Sequence, residues 1–275
     1  MHKVLNHMSS PNMRYDDFMS MAASLECVGV HYRNDLGRPL FDNDSNESVK
    51  ALASRSGMRI TGLAQLDRFN DWNSQRQSQA EELIETAVSI GAEAIGLIPV
   101  NDGSGVAECE RQANLIHSLK HLKPMLEASG LKELIEPLGF AQCSLRLKSE
   151  ALAAILEIDG ESQFMLVHDT FHHFLAHGVA TGAPVFPDHT AVIEISGVVD
   201  KSLTPANMLD HHRVLVDEQD VIGNVDQIAE MLSLGFTGVV SFEPFSKEVH
   251  QLNDPSRALA ESFSYIESRL PPFAE

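Results

Sequence analysis

Three apolar runs in this chain stop on side chains that can bind a cation or move a proton. Leu134-Ile135-Glu136-Pro137 and Val239-Val240-Ser241-Phe242-Glu243-Pro244 both end in Glu-Pro, and Phe164-Met165-Leu166-Val167 stops at His168-Asp169-Thr170-Phe171-His172. Proline disfavours the helical conformation in the residue before it, so Glu136 and Glu243 are expected to be extended at the ends of their strands. A fourth acid, Glu194, lies in Ala191-Val192-Ile193-Glu194-Ile195-Ser196-Gly197, where strand alternation points Glu194 and Ser196 the same way. Carboxylates crowded together cannot all ionise without a cation, because one pair already raises the second pKa. All-oxygen ligation suits Mn2+ or Mg2+ better than Zn2+, with Zn2+ and Co2+ as the alternatives. Taken singly, each Glu is equally at home as a solvated rim residue or a salt-bridge partner. It is the repetition at strand ends that argues for a metal.

His172 follows Asp169 by three residues, one turn on if a helix begins there, and can face the same cavity. A capping or surface histidine is its plain alternative. His173 and His177 read as surface or supporting groups, and the pair His211-His212 sits in a polar loop without ligand spacing. Cys143, after Gln142, has no base to activate it as a nucleophile. No P-loop, His-Glu-x-x-His or Gly-x-Ser-x-Gly elbow occurs. Gly103-Ser104-Gly105 lacks the rest of a dinucleotide fingerprint and reads as a plain loop.

To bring these groups together the chain needs parallel strands whose carboxyl ends share one rim. Short apolar runs predict strands at Val4–Met8, Cys27–His31, Arg59–Ala64, Ala94–Pro99, Glu133–Glu136, Phe164–Asp169, Ala191–Ser196 and Gly238–Glu243. Helical periodicity predicts helices at Asp16–Leu25, Ser74–Ile90, Ala107–Ala128, Leu145–Glu157, His172–His177, Val225–Leu234 and Pro255–Arg269. Gly91 and Gly235 suit left-handed caps between a helix and the following strand. Eight such units predict an α/β fold of the closed (β/α)8 TIM-barrel type, a single domain spanning 1–275. The stretch Gly178–Asp220, rich in His, Pro and Asp, is expected to cover the barrel mouth.

A length of 275 residues suits such a barrel, which commonly needs about 250. An apolar content of 43% supplies an ample core. The formal charge of −19, with no basic run, speaks against nucleic acid. Three scattered cysteines suit a reducing compartment. The first residues lack a signal-like apolar stretch, and no segment approaches a membrane span. A cytoplasmic protein with no membrane partner is expected.

With these residues in view, the chain resembles the xylose-isomerase-like TIM-barrel family of sugar isomerases and epimerases. The resemblance runs nearly end to end, through Leu134-Ile135-Glu136-Pro137-Leu138-Gly139, Gln142-Cys143, Asp169-Thr170-Phe171-His172, Ile195-Ser196-Gly197-Val198 and Ser241-Phe242-Glu243. Val30-His31-Tyr32-Arg33 and Phe69-Asn70 look like the family's second- and third-strand endings. The resemblance implies metal ligands at Glu136, Asp169, Glu194 and Glu243. Glu194 stands where the family carries His, and His31 where relatives often carry Glu. It further implies isomerisation of a keto-polyol or ketose through an enediolate, with Glu136 and Glu243 as acid/base residues. His172, Gln142, Asn70, Phe69, His31 and Arg33 are then expected to contact a small-molecule polyol ketone or sugar. The alternatives are a keto-polyol dehydratase or sugar epimerase on the same site, or a non-catalytic sugar-binding barrel. Assembly into a homo-oligomer is left open.

Overall fold

The computed structural model describes residues 1–103, 107–178 and 183–271; Ser104 and Gly105 of the loop noted above lie outside them, as do residues 179–182 of the expected cover. The strands are β1 His2–Asn6, β2 Gly29–Arg33, β3 Arg59–Asp67, β4 Ala94–Ile98, β5 Lys132–Ile135, β6 Phe164–Asp169, β7 Thr190–Ile195 and β8 Val239–Phe242. They pair in parallel in sequence order, and β8 closes on β1, giving the (β/α)8 barrel.

The helices among the described residues are α1 Tyr15–Ser24, α2 Asn46–Ser56, α3 Ser74–Ile90, α4 Glu108–Ser129, α5 Lys148–Glu157, α6 Thr170–His177, α7 Asn224–Ser233, α8 Lys247–His250 and α9 Pro255–Glu267. Helix α2 is absent from the sequence reading because its buried face consists of only Val49 and Ala53. Its boundaries are nonetheless chemically plain: Ser45 accepts from the Ser48 amide at 3.3 Å, and Gly57 ends it in the left-handed region. Gly91 and Gly235 adopt positive φ as expected. Helix α6 begins earlier than expected because the Asp169 side chain caps it, Oδ1 accepting from the His172 amide at 2.8 Å.

Alternation builds the site on top of the core. Val4, Leu134, Val167, Val192 and Val239 belong to one buried cluster with Ala94, the packed interior of the barrel. Two residues further along the same inward rows stand Asn6, Glu136, Asp169 and Glu194, and four beyond Val239 stands Glu243. Residues of opposite parity, such as Ile135, Leu166, Ile193, Val240 and Phe242, pack outward into the larger core beneath the helices. A third cluster, including Leu138, Phe140, Phe171, Phe174, Val198 and Met208, ties α6 to the loops that follow β5 and β7. Hydrophobic burial therefore fixes the height and direction of every acid at the rim.

Candidate active site

Carboxylate oxygens of Glu136, Asp169, Glu194 and Glu243 all lie within 4.8 Å of one another, and all four residues are buried. They come from the ends of β5, β6, β7 and β8. Glu136 and Glu243 each directly follow the last residue of their strand, their amides still donating to the Leu97 carbonyl at 3.3 Å and the Ile195 carbonyl at 2.9 Å, and the following prolines stop the chain from turning into helix. The seventh-strand acid does point inward, and Ser196 follows it to the same side.

Two guanidinium groups balance part of this charge. Arg213 Nη2 donates to Asp169 Oδ2 at 2.5 Å and to Glu243 Oε2 at 2.8 Å, and its Nε donates to Ser196 Oγ at 2.9 Å. Arg33 Nη1 donates to Glu243 Oε1, while its Nε and Nη2 hold Asp35 at 2.7 and 2.6 Å. Asn6 Nδ2 bridges Glu194 Oε1 at 3.0 Å and Glu243 Oε1 at 3.1 Å. Phe245 stacks against both cations, its ring centroid 4.6 Å from Arg213 and 5.7 Å from Arg33.

The remaining imbalance shows in the proton affinities. Burial first, and then the Glu243, Glu194 and Asp169 charges, push the Glu136 carboxyl well above its ordinary range. Glu194 is raised well above its usual value by burial and by Glu243 and Asp169. Burial also raises Glu243, with Arg33 and Arg213 opposing. Burial lowers the His172 imidazole, whose Nε2 lies 3.6 Å from Glu136 Oε1 and whose Nδ1 has no hydrogen-bond partner among the described residues. A neutral imidazole therefore faces the Glu136 carboxyl.

This donor set fits a divalent cation. Four carboxylates face two arginines, and Asp35 engages one of those, so the pocket holds more acid than base. A hard doubly charged ion would let all four acids ionise. Glu136 carries no donor among the described hydrogen bonds, and Glu194 Oε2 is likewise free, leaving lone pairs for an ion.

The other sequence-derived candidates occupy different settings. Arg33 is in the constellation. Phe69 is fully buried in the core beneath the helices. Asn70 spans two loops, donating to Ser144 Oγ at 2.8 Å and accepting from the Val100 amide at 2.9 Å. Gln142 is exposed on the loop after β5. His31 is buried one inward step below Arg33, with its ring where a Cβ on Gly62 would lie only 2.7 Å from its Cε1. Burial and the Arg33 charge push His31 down to about 3, so it is neutral. No hydrogen bond among the described residues joins Phe69, Asn70, Gln142 or His31 to the four acids. Cys143 is fully buried, donates from Sγ to the Leu145 carbonyl at 3.2 Å and is raised to about 11 by burial, an inert thiol.

Arg213 and Asn6 escaped the sequence reading. Arg213 is carried by the segment between β7 and α7, which folds over the rim. Gly197 and Val214 form an antiparallel bridge, and the Phe245 and Ser246 amides donate to the Arg213 carbonyl at 3.0 and 2.9 Å. The available signal was charge balance, since four buried acids call for buried cations and Arg213 is flanked by an acid-rich loop.

Comparison with known proteins places the chain. The family model described as a xylose isomerase-like TIM barrel matches residues 21–269. The inosose isomerase of Halalkalibacterium halodurans is 24% identical over 174 residues, covering 62% of this chain and 60% of that protein. Among solved structures, a xylose isomerase domain-containing protein of Salmonella typhimurium LT2 superposes with a TM-score of 0.88 at 26% identity, covering 97% of this chain and 96% of the other. The IolI protein, whose crystal structure carries a zinc atom, gives a TM-score of 0.85 at 17% identity, covering 99% of this chain and 100% of that one. The barrel, the four rim acids and a match over most of the sequence lead to one conclusion: the chain belongs to the xylose isomerase-like TIM-barrel family.

Proposed function

We propose that this protein is a metal-dependent isomerase of a keto-polyol or ketose of the inosose type. The observation that carries the reading is the convergence of four buried carboxylates from four consecutive strands within 4.8 Å. The similarity to inosose isomerase supports the substrate class. In this reading Glu136, Asp169, Glu194 and Glu243 would hold Mn2+ or Mg2+, with Zn2+ or Co2+ as substitutes. Such an ion supplies Lewis-acid polarisation of the substrate ketone.

The chain's own groups do the rest. Glu136, free of cationic donors, takes the proton from the hydroxyl-bearing carbon, whose C–H electron pair becomes the double bond of an enediolate. A proton returns to the neighbouring carbon from the protonated Glu136, or from Glu243 after it has taken the substrate's hydroxyl proton, with Glu243 fixed by Arg33, Arg213 and Asn6. In either route the hydroxyl O–H pair becomes the new carbonyl bond, and the former carbonyl oxygen ends protonated. The two guanidiniums place positive charge beside the oxygens on which negative charge grows. His172 and Arg33 hydrogen-bond substrate oxygens, joined by Gln142 from the exposed loop. Asn70, Phe69 and His31, which the sequence also offers to the substrate, support the wall behind. Phe171 and Phe245 exclude water around Arg213.

We assign this activity to one barrel domain spanning 1–275 in the cytoplasm. Three unpaired cysteines support that compartment, and among the described residues no helix is long and apolar enough to cross a membrane.

The deciding experiment assays inososes and ketohexoses with chelator-treated protein, with and without Mn2+, alongside Glu243→Gln. Mn2+-dependent isomerisation lost in the variant, typically by about 10²–10⁴-fold for one acid–base group, is the expected result. Water loss or inversion at a single carbon would instead assign a dehydratase or an epimerase. Sugar binding with neither metal uptake nor turnover would assign a non-catalytic barrel.

A further inference from the structure

Arg213 has the bulkiest side chain among the fully buried residues. Its guanidinium is enclosed by Asp169, Glu243, Ser196 and Asp210 and by the rings of Phe171 and Phe245, at 5.1 and 4.6 Å. Its backbone is pinned separately: the Arg213 carbonyl accepts from two amides of the loop after β8, and Val214 bridges to Gly197. The cation is thus a fixed part of the rim, and one of its nitrogens engages oxygens of two of the four acids that a divalent ion would need.

Two opposite effects follow. A permanent positive charge hydrogen-bonded to two of the acids that would hold the ion opposes entry of another cation. The same charge offsets repulsion between Asp169 and Glu243, and Nη2 sets their spacing. We infer that Arg213 is a built-in counter-ion that weakens divalent-cation binding at this constellation while keeping the acids assembled before the ion arrives. The inference rests on the proposed reading of Glu136, Asp169, Glu194 and Glu243 as the ion's ligands.

The test is calorimetric titration of Mn2+ into chelator-treated wild-type protein, Arg213→Gln and Arg213→Lys, with the melting temperature of each measured in the ion-free state. Arg213→Gln drops the charge but keeps an N–H donor. It should bind Mn2+ at least about tenfold more tightly, melt several degrees lower without the ion and regain most of that loss with it. Arg213→Lys keeps the charge and should bind close to wild type. Affinity in Arg213→Gln equal to or weaker than a measurable wild-type value overturns the inference and leaves the metal site standing. No Mn2+ uptake by any of the three proteins overturns the metal-site reading and this inference with it. Should Arg213→Gln not fold, Arg213→Met expressed with Mn2+ decides: recovery of soluble protein only with the ion supports the inference, and equal failure in both conditions overturns it.

Discussion

His172 Nε2 lies 3.6 Å from Glu136 Oε1, and the same residue's amide donates to Asp169 Oδ1 at 2.8 Å. One histidine thus touches the acids of two neighbouring strands, one through its ring and one through its backbone. Only the ring contact can be removed by substitution. His172→Gln leaves the α6 cap intact and should lower kcat/KM by about 10–100-fold, as expected for one polar contact to a charged site. The melting temperature should change little. Steady-state kinetics with a thermal melt checks this, and unaltered kinetics would take His172 out of the site.

Glu194 offers oxygen where the family resemblance implies an imidazole. Nitrogen ligands favour Zn2+, and an oxygen set favours harder ions. Glu194→His should therefore retain binding but shift preference from Mn2+ towards Zn2+. The same change loses the hydrogen bond from Asn6. Competition titrations with the two ions read the shift, and an unchanged preference ratio counts against Glu194 as a ligand.

Glu133, on β5, faces the helices rather than the barrel interior, is fully buried, and has no partner for either carboxylate oxygen among the described residues. Burial raises it well above the 4.5 of a freely solvated glutamate. The unfolded chain therefore releases this proton above pH 4.5 while the native protein retains it. Stability from this group is full below that pH and falls as pH rises towards the folded value. Glu133→Met should raise the melting temperature by a few degrees at pH 8 and by less at pH 4.5, since an unpaired buried polar group costs about 1–3 kcal/mol. Melts at the two pH values settle it; a variant with equal gains at both would contradict the assigned protonation.

Much of this architecture is legible in the residue order, and the gaps have physical causes. The eight strands stand out because each is a short apolar run ending in a turn signal, and Glu136 and Glu243 are marked by their prolines. The second strand runs two residues later than its apolar character suggests, so it extends through Arg33, which keeps the inward parity of His31 and stands beside Glu243. Asn6 lies hidden in a run read through to Met8, whereas the chain turns at His7. Arg213 obeys no period at all. Its place is fixed by backbone bonds to segments far away in sequence, and only charge balance among the buried acids would have asked for it.

Gly139 follows Pro137 and Leu138 in the loop after β5, and a Cβ there would come within 2.2 Å of the His172 carbonyl and 2.6 Å of the Leu175 Cβ. The bend carrying Glu136 and the helix carrying His172 therefore share one tight seam. Any bulk added at that joint must push α6 away, dragging its cap Asp169 along. Sequence changes in this part of the barrel would thus be safest in the exposed loop around Gln142, because the two arms joined at Gly139 can move only as one piece.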